Sequence, residues 1–190
     1  MNTNKSLTRK EEITKEVYVR VLDELLKEKE FSEIKVSEII ELSGLSRATF
    51  YKYFHDKYEL AVWRYANFLE DLGSIDFSSQ EEVDKIMAAI IQFINSNKAS
   101  FKKIIQYMGQ NSFIEYYVKY SINVAKEKSS KYGYKLSSKD EYTIRYHAIG
   151  TIEVLREWIE TKNDLTVEDI IDVIVNNHRN SGVRPYYLPR

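Results

Sequence analysis

A chain of 190 residues with 43% apolar side chains has room for one domain or two small ones around a real core. Charged residues make up 30%, yet the formal net charge is −1, so any nucleic-acid contact has to come from a local basic patch. There is no cysteine, which excludes disulfides, thiolate metal sites and cysteine nucleophiles. The opening "MNTNKSLTRKEEITKEVY" carries no apolar stretch of signal-peptide length, and no run approaches the ~18 residues of a membrane span. A cytoplasmic protein without membrane contact is expected.

Two prolines and six glycines are few chain breakers, so an all-α chain of about nine helices is predicted. Ile13, Val17, Val21 and Leu25 recur every four residues and predict a helix over about 8–29. Phe31 and Ile34 plug the bend that follows. Val36, Ile39 and Ile40 give a short helix over about 36–43, closed by Gly44 in the left-handed conformation. Ser46 is placed to cap a third helix, about 46–54, and Asp56 a fourth, about 57–72. A linker is read near Gly73–Ser79. Further helices are predicted from Val83 to Ile94, around Phe101 to Met108, and from Phe113 to about Lys128. The polar loop "KSSKYGYKLSSKD" comes next, with its lysines read as solvated. The last two helices span about 139–161, with Ile144, Ala148, Ile152, Leu155 and Ile159, and about 166–178, opened by Thr166. Residues 1–58 form the first domain, 59–180 the second with 57–72 connecting them, and 181–190 a tail.

Lys35 to Leu60, "KVSEIIELSGLSRATFYKYFHDKYEL", is a short helix, a Gly-containing turn and a second short helix: the helix-turn-helix pattern. A helix that enters the major groove needs one face for base edges and phosphates and another to lock it in place. Phe50 and Phe54, four apart, make the locking stripe. Arg47, Ala48, Thr49, Tyr51, Lys52 and Tyr53 are left to face outward. Arg47 can bind O6 and N7 of a guanine, Ala and Thr methyls suit a thymine methyl, and Tyr or Lys suits phosphate. Lys57, opening the next helix, is read as one more phosphate contact. His55, beside Asp56, reads as a solvated turn residue.

This stretch resembles the DNA-binding signature of TetR-type bacterial transcriptional regulators, over roughly residues 10–60. The rest fits that family's variable ligand-binding and dimerisation domain in length and helical character. "AIGTIEVLREWIETKNDLTVEDI" is similar to the penultimate helix and turn of a subgroup from low-GC Gram-positive bacteria. The resemblance adds Lys35 and Ser37 to the DNA contacts, with Lys in place of a frequent Thr and Ala48 in place of a frequent Gly or Pro. It implies double-stranded operator DNA as partner, a homodimer, and a small-molecule effector that releases a repressor.

In the second half, Phe93, Tyr107, Met108, Phe113, Tyr116, Tyr117, Tyr120, Tyr146 and Trp158 form an aromatic-rich set. A tyrosine-lined cavity suits a ligand held by few polar anchors, and His147 is a candidate anchor. At helical spacing, filling the core or a dimer seam is the simpler reading of any single one of these rings. A family-type dimer bundle would use Ile144, Thr151, Val154 and Trp158 on one helix and Ile170, Ile174 and Val175 on the other. His55, His147 and His178 are far apart, so no metal and no cofactor are expected. The chain lacks Gly-x-Ser-x-Gly, a phosphate-cradling glycine loop and His-Glu-x-x-His, which speaks against an enzyme. The alternative to an effector-responsive regulator is a dimeric helical DNA-binding or interaction protein without an effector.

Overall fold

The computed structural model describes residues 9–71, 79–106, 112–131 and 133–180. The predicted linker at Gly73–Ser79, save Ser79 itself, lies outside them, as do Tyr107, Met108 and the tail 181–190. Among the described residues there are nine helices and no strand. These are α1 (Arg9–Glu28), α2 (Val36–Ser43), α3 (Arg47–Tyr53), α4 (Lys57–Asp71), α5 (Gln80–Ser96), α6 (Lys98–Ile105), α7 (Phe113–Lys131), α8 (Ser138–Glu160) and α9 (Val167–Asn180).

The helix ends are set by side chains on the neighbouring backbone. Gly44 sits at φ 67° and closes α2, donating to the Glu41 carbonyl. A Cβ is strained there, which is why glycine occupies the turn. The Glu38 carboxylate takes the Lys35 backbone N–H at 2.9 Å and the Lys29 ammonium at 2.5 Å. Ser46 Oγ accepts from the Thr49 N–H at 3.1 Å and opens α3. Asp56 Oδ1 accepts from the N–H groups of Tyr58 and Glu59 and opens α4. Reciprocal boxes, Ser137 with Asp140 and Thr166 with Asp169, open α8 and α9.

Burial corrects the predicted face of α1. Tyr18, Leu22, Leu25 and Leu26 are buried, whereas Ile13 is exposed and Val17 and Val21 are half-buried. A strict four-residue spacing gains about 40° per step, so that row winds off the seam. The mixed spacing from Tyr18 to Leu26 stays on it.

The loop after α7 is less solvated than its composition suggests. The helix continues to Lys131, and Ser129 and Leu136 are buried. Leu136 joins Val118, Ile122, Ala125, Ile144 and Ala148 in a satellite core between α7 and α8. The main core runs unbroken from α1 to α9.

Candidate nucleic-acid interface

Phe50 on α3 and Phe54 at its C-cap are wholly buried, and both pack edge-on to Tyr18 of α1, with ring centroids 5.2 and 6.2 Å from it. Aromatic pairs of this kind add to plain burial and hold α3 at one rotation about its axis. That rotation turns Arg47, Ala48, Tyr51 and Lys52 to solvent. Thr49 and Tyr53 are half-buried at the margins. Lys35 and Ser37, at the start of α2, are exposed as well.

The exposed groups are already organised. The Arg47 guanidinium lies 5.5 Å from the Tyr51 ring centroid, one turn along the same helix. Lys52 Nζ donates to Glu11 of α1 at 3.2 Å and to the Tyr53 hydroxyl at 3.1 Å. Those two bonds hold its pKa above the ordinary lysine value. The Thr49 hydroxyl lies 2.8 Å from Ser46 Oγ, so it is shared with the cap. Lys15 of α1, which sequence reasoning missed, reaches over the rings of Tyr53, Phe54 and Trp63 at 5.1–5.7 Å. His55 is solvated beside Glu59, its Nδ1 at 2.7 Å from the carboxylate.

Lys57 departs from its predicted role. Its ammonium donates to the carbonyls of Phe31, Ser32 and Ile34 at 2.6, 3.1 and 2.7 Å, and rests 4.8 Å from the Phe31 ring centroid. All three donors are spent on the bend between α1 and α2. Burial lowers its pKa. The side chain is a brace between α4 and that bend rather than a phosphate contact.

Two contacts tie this head to the later helices. The Tyr116 hydroxyl of α7 donates to Asp56 Oδ2 at 2.8 Å, so one carboxylate caps α4 and holds α7. Lys103 of α6 donates to the Leu26 and Lys29 carbonyls at 2.8 and 3.0 Å, a cation at a helix C-terminus.

Among the described residues, the predicted ligand residues are spread between the core and the surface. Phe113 is buried in a ring cluster with Tyr65, Phe101 and Tyr117. Phe93 and Tyr120 pack against the main core, and Tyr116 is engaged with Asp56. Burial raises the Tyr117 and Tyr116 pKa values, the latter further raised by Asp56. Tyr146 is 75% exposed, so it lines no interior cavity. His147 is partly buried, which lowers its pKa and favours the neutral ring.

The predicted dimer residues are also largely used within the chain. Ile144, Trp158, Ile170 and Ile174 are buried. The Trp158 indole N–H donates to the Leu165 carbonyl at 3.1 Å, and Lys98 covers its ring. Thr151 and Val154 are half-buried. The outward apolar residues of α8 are instead Tyr142, Tyr146 and Ile149.

Among the described residues no helix is long and apolar enough to cross a membrane, and no group of acidic or histidine side chains could hold a metal ion.

Two family models match the chain. "Bacterial regulatory proteins, tetR family" covers residues 20–62, and "Transcriptional regulator C-terminal region" covers residues 81–179. The chain is 25% identical over 182 residues to the HTH-type dhaKLM operon transcriptional activator DhaS of Lactococcus lactis subsp. lactis (strain IL1403), covering 93% of this chain and 91% of the relative. A solved dihydroxyacetone kinase operon activator DhaS shares the fold with a TM-score of 0.51 at 22% identity, over 86% of this chain and 93% of the other. A TetR transcriptional regulator from Streptococcus agalactiae 2603V does so with a TM-score of 0.52 at 19% identity, over 88% and 94%.

Proposed function

The chain belongs to the tetR family of bacterial regulatory proteins and is a DNA-binding transcriptional regulator, and on that premise we propose that it works as a homodimer whose operator binding is switched by a small molecule. The observation that carries the reading is α3 itself. Its two phenylalanines are locked inward while Arg47, Ala48, Tyr51 and Lys52 stand free of the core. In this reading Arg47 reads a guanine, Ala48 and Thr49 meet methyl groups, and Tyr51, Lys52, Tyr53, Lys35 and Ser37 hold phosphates.

One recognition helix spans only a few base pairs, so two copies reading half-sites about 34–36 Å apart supply the specificity. We assign the dimer face to the outward stripe Tyr142, Tyr146 and Ile149 of α8, spaced four and three residues apart. Tyr146→Glu then yields a monomer by sedimentation while leaving the helical content unchanged; a dimer of undiminished affinity rejects the assignment.

For the switch, an effector has to bind better to a state in which the two α3 helices no longer match successive grooves. Release of a repressor is the first reading. Activation is the second, favoured by the Lactococcus lactis relative, which is described as an activator. Selection of bound sequences from random DNA, repeated with a metabolite panel, tests both levels. Enrichment of a two-half-site sequence whose binding one compound shifts is the expected result. No enrichment at low salt rejects the DNA reading, and enrichment that no compound shifts rejects the effector.

A further inference from the structure

The two cations of α3 keep different company. Arg47 lies 5.5 Å from the Tyr51 ring centroid, a neutral partner on its own helix. Lys52 donates to the Tyr53 hydroxyl at 3.1 Å and, across to the first turn of α1, to the Glu11 carboxylate at 3.2 Å. The ion pair joins residues 41 apart in the chain, so tertiary packing alone brings a negative charge to the end of the recognition helix. The Lys52 side chain is 60% exposed and that of Glu11 29%, so the ammonium still faces the water from which DNA arrives. Glu11 is well placed to stay there, because a carboxylate in the first turn suits the positive end of its helix.

A carboxylate oxygen and a phosphate oxygen make the same demand on an ammonium. Lys52 Nζ has three donors, and Glu11 and Tyr53 take two of them. A phosphate arriving at the third would lie beside the Glu11 carboxylate, and like charges at that range repel. The Tyr53 hydroxyl orients the lysine without bringing a charge, so Glu11 adds opposition rather than support. We propose that Glu11 holds Lys52 in place of a DNA phosphate in the free protein, an internal competitor that DNA has to displace. This rests on the reading of Lys52 as a phosphate contact. The restraint falls on a contact that is blind to sequence, while the base-reading Arg47 rests on a neutral ring. It therefore lowers affinity for operator and unrelated DNA alike and leaves their ratio unchanged.

Fluorescence-anisotropy titrations of the full chain against the selected operator and an unrelated duplex of equal length, over a range of salt, test the proposal. The proteins compared are the wild type, Glu11→Gln, Lys52→Met and the double variant. Gln keeps the length of the side chain and removes its charge. Glu11→Gln is expected to tighten both duplexes roughly fivefold at low salt, as for an exposed ion pair in each of two heads. Its salt dependence should be steeper, and the gain should shrink as salt screens the charges. In the Lys52→Met background the larger part of the gain should disappear. Weaker binding by Glu11→Gln would make the carboxylate a support for Lys52 and overturns the proposal. No change, a gain confined to the operator, or a gain of equal size without Lys52 overturns it too. If Lys52→Met alone binds as tightly as the wild type with the same salt slope, the phosphate reading of Lys52 fails and takes the proposal with it.

Discussion

On α3, side chains four residues apart divide cleanly between inside and outside, whereas on α7 and α8 the aromatic residues divide among core, seam and open surface. Phe50 and Phe54 go in while Arg47 and Tyr51 go out. On the later helices Phe113 is core, Tyr116 braces the cap of α4, and Tyr146 lies on the surface. The difference has a physical origin. A helix that must present one face to a fixed partner, the major groove, carries a narrow set of residue types in a fixed register. A bundle built around its own core accepts aromatic rings wherever volume allows.

The sharpest way to break that contrast is to spoil the inner face of α3. Phe50→Ala removes a wholly buried ring and should cost about 3–5 kcal/mol of stability. Chemical denaturation reads this, and operator binding should go with it. A loss under about 1 kcal/mol would mean the head tolerates a loose α3.

The outer face should respond in the opposite manner. Arg47→Ala is expected to leave the melting temperature in place and cost about 1–3 kcal/mol on the operator, relaxing one base position. Titrations against base-substituted operators read it, and an equal loss on every sequence would reduce Arg47 to a phosphate contact.

Lys57 and Tyr116 sharpen the boundary between the two regions. Lys57→Met should lower stability, because three carbonyls lose their donor, and should leave the salt dependence of operator binding unchanged. A slope lower by about one unit would restore Lys57 to the phosphate contacts. Tyr116→Phe deletes a single hydrogen bond to a carboxylate, worth about 1.5–3 kcal/mol at most. A double-mutant cycle with Asp56→Asn, read in operator affinity, should show coupling. Coupling confined to thermal stability would make the contact structural only.

The smallest effect is a pH dependence. The hydrogen bond from Lys29, with that from the Lys35 backbone, holds the Glu38 pKa below its ordinary 4.5. A depressed carboxylate stabilises the fold above that value and loses the contribution as pH falls through its folded pKa. Glu38→Gln should therefore be less stable than the wild type near neutrality and equal to it in acid below the depressed value. A difference that persists in acid would place its cause elsewhere.

The head was legible because its signals are local. Ser46, Asp56 and Gly44 act on backbone within three residues, and the structure has them as caps and turn as expected. The buried face of α1 was misjudged since Tyr18, a residue with a polar tip, outranks Ile13 once α3 packs on it. Lys57 was misread for a related reason. Its partners lie 23–26 residues earlier in the chain, and no local pattern marks a lysine that folds back onto carbonyls. In the bundle the helices were readable from their apolar spacing, as Ile144, Ala148, Ile152, Leu155 and Ile159 show by all being buried. Which aromatic faced which neighbour was not, because Tyr65 meets Phe93, Phe101 and Phe113 only through tertiary packing. Arg64 gave no signal at all, because its partners Asp23 and Asn97 lie 41 and 33 residues away in the chain.

Methylation interference at guanine N7 on the selected operator tests the reading face of α3 most directly, since that atom lies open in the major groove. Two clusters of interfering guanines about one helical turn apart, one position of each lost in Arg47→Ala, is the predicted pattern. Binding indifferent to N7 methylation throughout would contradict it.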